Sequence, residues 1–372
     1  MRTSPFPAEL TAAVDPGKLP GIIFSGWQSP SNIAFIKYWG KRPLQLPLYP
    51  SLSMTLQEAF TQTLVEATLH DGNPSPIMIN NDPAHPFLGK LAPFLDWFTV
   101  KIPVLNQYSF RITTRNSFPH STGIASSASG MSAFALCLLT IASEAVSLQL
   151  PNEHLMPMAS FAARMGSGSA CRSLFGGYTV WGETDLIPRS NDLEAIGITH
   201  VVHPSLTSLH DAILVISRQP KRLSSSKGHE TMNRHPFAEA RIEQARDHLT
   251  GILQAMKEGN LERVGSIAEA EALSLHALVM SAAGGAVLLE PATLTVMNRI
   301  REARSLGLPV FFTLDAGPNV HLLYPEENKS QVQRFIENEL APYCTDGLWI
   351  DDLCGAGPGR IEEVTRSPEF SS

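Results

Sequence analysis

The stretch SSASGMSAFALCLLTIASEAV, residues 126–146, constrains this chain more than any other segment. Small and apolar side chains fall on nearly every face at helical period, so a helix here has no face to offer water and must be covered on all sides. Its most apolar part, AFALCLLTIA at 133–142, is too short to cross a bilayer, so the cover has to be protein. With 372 residues, 43% of them hydrophobic and 17% charged, the chain can supply that cover as one large domain or two moderate ones.

Strand-like runs precede the helix at 32–37, 52–56, 62–69 and 108–114, the last two alternating in polarity. A second helix is expected over 153–165, then strands over 177–181 and 212–217. Two long amphipathic helices follow at 236–256 and 261–278, and a third at 292–305 stops at Gly307 before a strand at 309–314. This order lacks the regular βαβ alternation of a doubly wound sheet, which predicts an α+β fold. The polar stretch 203–210 is the expected boundary, dividing the chain into 1–205 and 206–372.

Charge and cysteine usage exclude several classes. Lysine and arginine total 28 against 35 acidic residues, a net charge of −7, so there is no basic field to draw nucleic acid or an anionic membrane. The four cysteines, Cys137, Cys171, Cys344 and Cys354, show no C-x-x-C spacing, which excludes a zinc ribbon and a disulfide framework and suits a reducing compartment. The first twenty residues contain no apolar core of a secretory signal, so a cytoplasmic location is expected.

The common phosphate signatures G-x-x-x-x-G-K-[ST] and G-x-G-x-x-G are absent, as is a G-x-S-x-G nucleophile elbow. His229-Glu230 begins a zinc-helix pattern, but Asn233 stands where the second histidine would be. His229 and His235 therefore read as surface or substrate-pocket residues.

What remains is a set of hydroxyl-rich loops. PHSTGIASSASG at 119–130 leads into the buried helix; it can cradle an anion at the helix N-terminus or merely cap a tightly packed helix. GSGSACRS at 166–173 sets Arg172 among serines and glycines, either as a fork for a carboxylate or phosphate or as a structural cation. KRLSSSKG at 221–228 is basic and hydroxylated, like many solvated turns. LDAGPN at 314–319 puts Asp315 at the end of an apolar strand, where a carboxylate serves as a base or a turn cap. PSNIAFIKYWGKR at 30–42 places Lys37, Tyr38 and Lys41 close together in an apolar setting. Together these are the parts that a polyanionic substrate and a nucleotide require.

The strings SNIAFIKYWGKR, SLSMTL, NSFPHSTGIASSASG, GSGSACRSLFGGY, SSSKG and LDAGPN, spread along the chain in this order, resemble those of the mevalonate diphosphate decarboxylases. That family is a branch of the small-molecule kinases that include galactokinase, homoserine kinase and mevalonate kinase. The resemblance implies two α+β lobes, a ribosomal-protein-S5-domain-2-like N-terminal half and a ferredoxin-like C-terminal half, with the active site in the cleft between them. It further implies ATP-dependent conversion of mevalonate 5-diphosphate to isopentenyl diphosphate, in isoprenoid biosynthesis, with Mg2+ bridging the nucleotide phosphates and no direct protein ligand assigned to the metal. Homodimers are common in the family.

Carried over by position, the resemblance makes Asp315 the group facing the 3-hydroxyl, Lys37 the charge-compensating lysine beside it, and Arg172 the holder of the substrate carboxylate, with Ser167 and Ser169 in the same loop. Ser127 is implied to act at the nucleotide phosphates with Gly123, Ser126 and Ser225. Tyr38 and Lys41 are implied at the substrate's diphosphate, where Lys227 stands in for an arginine that some members carry. His120 is an unusual neighbour for phosphate. A 3-kinase, a decarboxylase of the 5-monophosphate and an idle polyphosphate-binding fold remain the alternatives.

Overall fold

Two strands, β1 (Ile22–Ile36) and β2 (Ser51–Leu69), run antiparallel along most of their length and form the spine of the first sheet in this computed structural model. The structure describes residues 5–119, 124, 126–219, 223, 225–232 and 234–362, with backbone alone for Ser225 and Ser226. Beyond β2 the sheet continues through β4 (Tyr108–Asn116) to the short β3 (Met78–Ile79). The first part of β2 instead pairs with β5 (Tyr178–Trp181), which pairs with β6 (Ala195–Gly197). The runs expected at 52–56 and 62–69 are thus one strand. Its first half is buried on both faces and its second half alternates, which is why only the second shows a period of two.

Helices α1 (Ala8–Thr11), α2 (Leu88–Lys101), α3 (Ser126–Ala145) and α4 (Asn152–Gly166) cover this sheet. The expectation of an all-round buried helix holds for α3. Among the described residues α3 is the one helix long and apolar enough to cross a membrane, and 89% of that stretch is buried inside the protein. Its hydroxyls are matched by the strands beneath. Ser132 Oγ lies 2.6 Å from Ser29 Oγ, Ser129 Oγ lies 2.6 Å from Thr61 Oγ1, and Trp27 Nε1 donates to Thr140 Oγ1 at 3.0 Å. These hydroxyls are therefore buried with a partner.

The second sheet is built from β7 (His210–Leu214), β8 (Phe311–Thr313), β9 (Val320–Tyr324) and β10 (Trp349–Leu353), in the antiparallel order β10-β7-β9-β8. With it go α5 (Ser225–Glu230), α6 (Ala238–Glu258), α7 (Leu261–Ser281), α8 (Pro291–Ser305) and α9 (Lys329–Phe335). Gly259 ends α6 at φ 70°, a left-handed conformation that glycine adopts without strain, and Asn260 Oδ1 then accepts from Arg263 N at 3.0 Å to cap α7. One apolar cluster joins the two sheets: Phe35, Leu52 and Tyr178 of the first meet Leu249 and Ile267 of α6 and α7, and Phe311 and Leu323 of the second.

The chain finally returns to the first sheet, where β11 (Gly359–Arg360) pairs with Trp27 and Gln28 of β1. A mixed α+β architecture is observed, as expected. Two differences bear on the site. Residues 225–228, read as part of a loop, open helix α5, and α2, which carries Pro93 among Leu91, Phe94, Leu95 and Phe98, was not anticipated.

Candidate active site

A cleft of about 440 Å³ opens where the end of β1, the start of α3, the turn after α4, helix α5 and the segment after β8 meet. Lys37, Tyr38, Lys41, Ser127, Ser167, Ser169, Arg172 and Asp315 all line it. Residues separated by as much as 278 positions are thereby brought to one place. Ser126, the first residue of α3, and Lys227, exposed on α5, fall outside its lining. Gly123 and His120 lie outside the described residues. Ser225 is the first residue of α5, and its side chain lies outside the described part.

Lys37 follows directly on the last residue of β1. Its amide donates to Glu271 Oε2 on α7 at 2.9 Å, and its ammonium donates to Ala34 O at 2.5 Å and to Thr313 Oγ1 at 2.9 Å. The side chain is 1% exposed, and burial pulls its pKa down to about 8 against the opposing charges of Asp315 and Glu271. Burial also acts to raise the Glu271 carboxyl, but His248 at 2.7 Å and a two-pronged contact from Arg241 outweigh it and hold the group at about 2. Glu271 is therefore a fixed anion beneath the lysine.

Arg172 sits in a 3-10 turn, Gly168–Leu174, that follows α4. Its Nε donates to Asn32 Oδ1 at 3.3 Å and its NH1 group to Ser51 Oγ at 2.7 Å. The guanidinium is almost fully buried, yet among the described residues these partners are neutral and no carboxylate forms an ion pair with it. A buried cation with neutral partners is costly unless an anion arrives. The charges of Arg172 and Lys37 both feel that of Asp315, which stands just beyond β8, its backbone carbonyl accepting from His276 Nε2 at 3.1 Å.

Ser167 Oγ lies 3.5 Å from both Ser127 Oγ and Ser169 Oγ, so the first turn of α3 and the loop after α4 present a cluster of hydroxyls. Tyr38 donates to Gln45 O at 2.9 Å, while Lys41 Nζ donates to Gln45 Oε1 at 2.8 Å. Gly168 passes so close that a Cβ there would stand 2.6 Å from the Tyr38 hydroxyl, which leaves room for glycine alone. Burial pushes the phenol above its ordinary range and keeps it a neutral donor.

Sequence reasoning missed Lys90, Phe94 and Trp97, which α2 adds to one wall, while His229, read as a surface or substrate-pocket residue, lines the cleft. The α2 residues could have been found from the helical spacing of Leu91, Phe94, Leu95 and Phe98. His229 was weighed as a metal ligand because a glutamate follows it.

Two domain families match: the diphosphomevalonate decarboxylase-like N-terminal domain over residues 29–191, and the mevalonate 5-diphosphate decarboxylase C-terminal domain over 212–350. A diphosphomevalonate decarboxylase of Debaryomyces hansenii is 31% identical over 333 residues, 82% of this chain and 80% of that protein. The chain belongs to the diphosphomevalonate decarboxylase family. A second member, from Candida albicans, is 29% identical over 82% of this chain and 85% of its own. Among solved structures, the mevalonate diphosphate decarboxylase of Staphylococcus aureus superposes with a TM-score of 0.77 at 28% identity, over 92% of this chain and 98% of that one. A complex of MDDEF with MVAPP, AMPPCP and magnesium superposes with a TM-score of 0.76 at 28% identity, over 92% and 99% of the two chains.

The donor set of the cleft fits a magnesium nucleotide. Magnesium takes oxygen ligands, keeps several waters and is bound largely through substrate phosphates, so one carboxylate and nearby hydroxyls suffice from the protein. Asp315, Ser127, Ser167 and Ser169 supply them.

Proposed function

We propose that the chain catalyses the ATP-dependent decarboxylation of mevalonate 5-diphosphate to isopentenyl diphosphate, with release of ADP, phosphate and carbon dioxide. The observation that carries this reading is Arg172, a buried guanidinium with neutral partners that lines the same cleft as Asp315 and Lys37. Such a cation is matched to a carboxylate that must be held while a phosphoryl group is transferred beside it. A kinase for a neutral alcohol has no use for it.

In this assignment Arg172 takes the substrate carboxylate, with Ser167 and Ser169 alongside, while Asp315 faces the 3-hydroxyl. That oxygen attacks the γ-phosphorus of ATP, its proton passes to Asp315, and the bond from phosphorus to the ADP oxygen breaks. A carboxylate cannot ionise a tertiary alcohol beforehand, but a loose phosphoryl transfer asks only for orientation and late proton acceptance. The bond to the carboxylate carbon then breaks, its electron pair forms the new double bond, and the carbon–oxygen bond releases phosphate. Lys37 compensates the charge that gathers at the oxygen. Ser127, with Ser126, Gly123 and Ser225, is assigned to the nucleotide phosphates. Tyr38 and Lys41 are assigned to the 5-diphosphate, with Lys227, exposed on α5, as a further contact to it. Bound magnesium supplies charge neutralisation of the phosphates.

Residues 1–205 and 206–372 are proposed as the two halves that contribute the anion loops and the aspartate respectively. A cytoplasmic location is supported by cysteines that are all free thiols. A homodimer, the assembly that the resemblance implies, is tested by sedimentation.

The function is tested with purified protein, ATP and magnesium against mevalonate 5-diphosphate, the 5-monophosphate and mevalonate, following ADP and carbon dioxide together. Equal release of both from the diphosphate supports the reading. ADP without carbon dioxide makes the chain a 3-kinase, and preference for the monophosphate changes its substrate.

A further inference from the structure

His229 sits at the corner of the cleft between two aromatic rings, 4.4 Å from the Tyr38 centroid and 5.3 Å from that of Trp39. Gly228 makes this seat possible, because a Cβ there would come within 2.3 Å of the Trp39 ring. The Nδ1 atom accepts the amide of Gly40 at 3.1 Å. An accepting Nδ1 has no proton, so the neutral ring carries its proton on Nε2. Among the described residues Nε2 has no protein partner and is not among the buried unpaired atoms, and the 8% of the residue that is exposed opens on the cleft. The ring thus holds one N–H donor toward the substrate in a fixed orientation.

The other groups of the cleft leave one partner for it. Arg172 suits the substrate carboxylate, and Asp315 with Lys37 the 3-hydroxyl. Of the charged residues that act on His229, Lys41 has the largest effect, and the segment that carries it also supplies the Gly40 amide. Residues two apart on a helix point to opposite sides, so α5 turns Lys227 out to solvent and His229 inward.

We propose that His229 is a specificity-determining residue that binds the 5-diphosphate through Nε2–H, beside Tyr38 and Lys41. This rests on the assignment of Tyr38 and Lys41 to the diphosphate. Burial first, then the positive charge of Lys41 and the weaker effect of Arg172, hold the imidazole down at about 3 against the pull of Asp315, so it donates as a neutral ring. An uncharged donor adds contact to a phosphate without adding to the positive charge of Lys41 beside it.

Two amide variants separate the ring's two nitrogens: an asparagine amide reproduces the Nδ1 position, a glutamine amide the Nε2 position. His229→Asn is expected to raise KM for mevalonate 5-diphosphate about 10-fold or more, with a much smaller change in kcat, and His229→Gln to recover most of the loss. The ratio of wild-type to His229→Asn values should stay constant from pH 6 to 9. Equal KM values in all three proteins, or a ratio that collapses as pH rises through the ordinary histidine range, would overturn the proposal. Calorimetric binding of inorganic pyrophosphate is the control that does not depend on turnover. If wild-type protein turns over none of the mevalonate compounds, the proposed function fails, yet weaker pyrophosphate binding by His229→Asn with recovery in His229→Gln still supports the phosphate contact, and unchanged binding in both overturns it.

Discussion

Lys37 and Glu271 are joined through the lysine's backbone rather than its side chain: the amide donates to Oε2 at 2.9 Å, which leaves the ammonium to Ala34 O and Thr313 Oγ1. The glutamate fixes where β1 ends, and with it the direction in which the lysine enters the cleft. Arg241 and His248 on α6 lock the carboxylate from the other side. Helices of the second half thereby position a residue of the first.

Glu271→Gln keeps the size of the side chain and one acceptor but leaves Arg241 buried without its counter-charge. Removing one partner of a buried pair costs about 3–5 kcal/mol, so a clear loss of thermal stability is expected. The test that separates positioning from simple unfolding is kinetic. At a temperature where the variant is folded by circular dichroism, kcat should fall while KM for ATP stays near the wild-type value.

The lowered pKa of Lys37 makes activity sensitive to alkali. The lysine is charged below about 8 and neutral above it, so kcat/KM is expected to fall as pH rises through that value. Bound phosphates and carboxylate favour the charged form, so the limb in kcat should lie at higher pH than the limb in kcat/KM. Stability moves the other way. Between about 8 and the ordinary lysine value the unfolded chain binds more protons than the folded one, and stability should rise with pH across that window. Lys37→Arg, which stays protonated, should be slow and lack the alkaline limb in a pH–rate series.

The sequence made the residues of the site legible but not their surroundings. Lys37, Arg172 and Asp315 stand out because charged side chains flanked by glycine, serine and apolar strand have few other uses. Nothing local to Lys37 points to Glu271, which looks like one more acidic residue on an amphipathic helix until α7 is packed against the strand ends. Helix α2, with Pro93 inside it, was not anticipated, and the second sheet was only half visible: β7 and β8 lie in apolar runs, whereas β9 and β10 carry His321 and Asp351-Asp352 inside the strand. His229 could be seen as a pocket residue, but which nitrogen faces the substrate depends on the Gly40 amide, a contact across 189 positions.

Asp315→Asn and Arg172→Gln should fail in different ways. The first removes the proton acceptor and preserves shape, so kcat is expected to drop about 10²- to 10⁴-fold with nucleotide affinity nearly unchanged. The second removes the carboxylate's partner, so KM for the substrate should rise and any ADP formed should exceed the carbon dioxide released. Parallel assays of ADP and carbon dioxide, with fluorescent nucleotide titration, distinguish the two. Near-normal turnover by Asp315→Asn would sink its assigned role.

Asp352 on β10 ties the two sheets at the middle of β2. Its Oδ1 accepts from the amides of Gln57 at 2.7 Å, Glu58 at 2.9 Å and Leu353 at 2.7 Å, and its Oδ2 accepts from Ala59 at 2.7 Å. The amides of Gln57, Glu58 and Ala59 lie where β2 departs from its pairing with β1, between Thr55 and Phe60, so β1 does not supply their acceptor. Asp352→Ala removes both acceptor oxygens and leaves four amides without their partner, and a fully buried carboxylate of this kind is worth about 2–4 kcal/mol after desolvation is counted. Because the same region carries Ser51, the partner of Arg172, the loss should also loosen the site. The expected result is a lower melting temperature together with a raised KM for the mevalonate substrate. A variant that melts earlier but keeps its wild-type KM would restrict Asp352 to holding the sheets together.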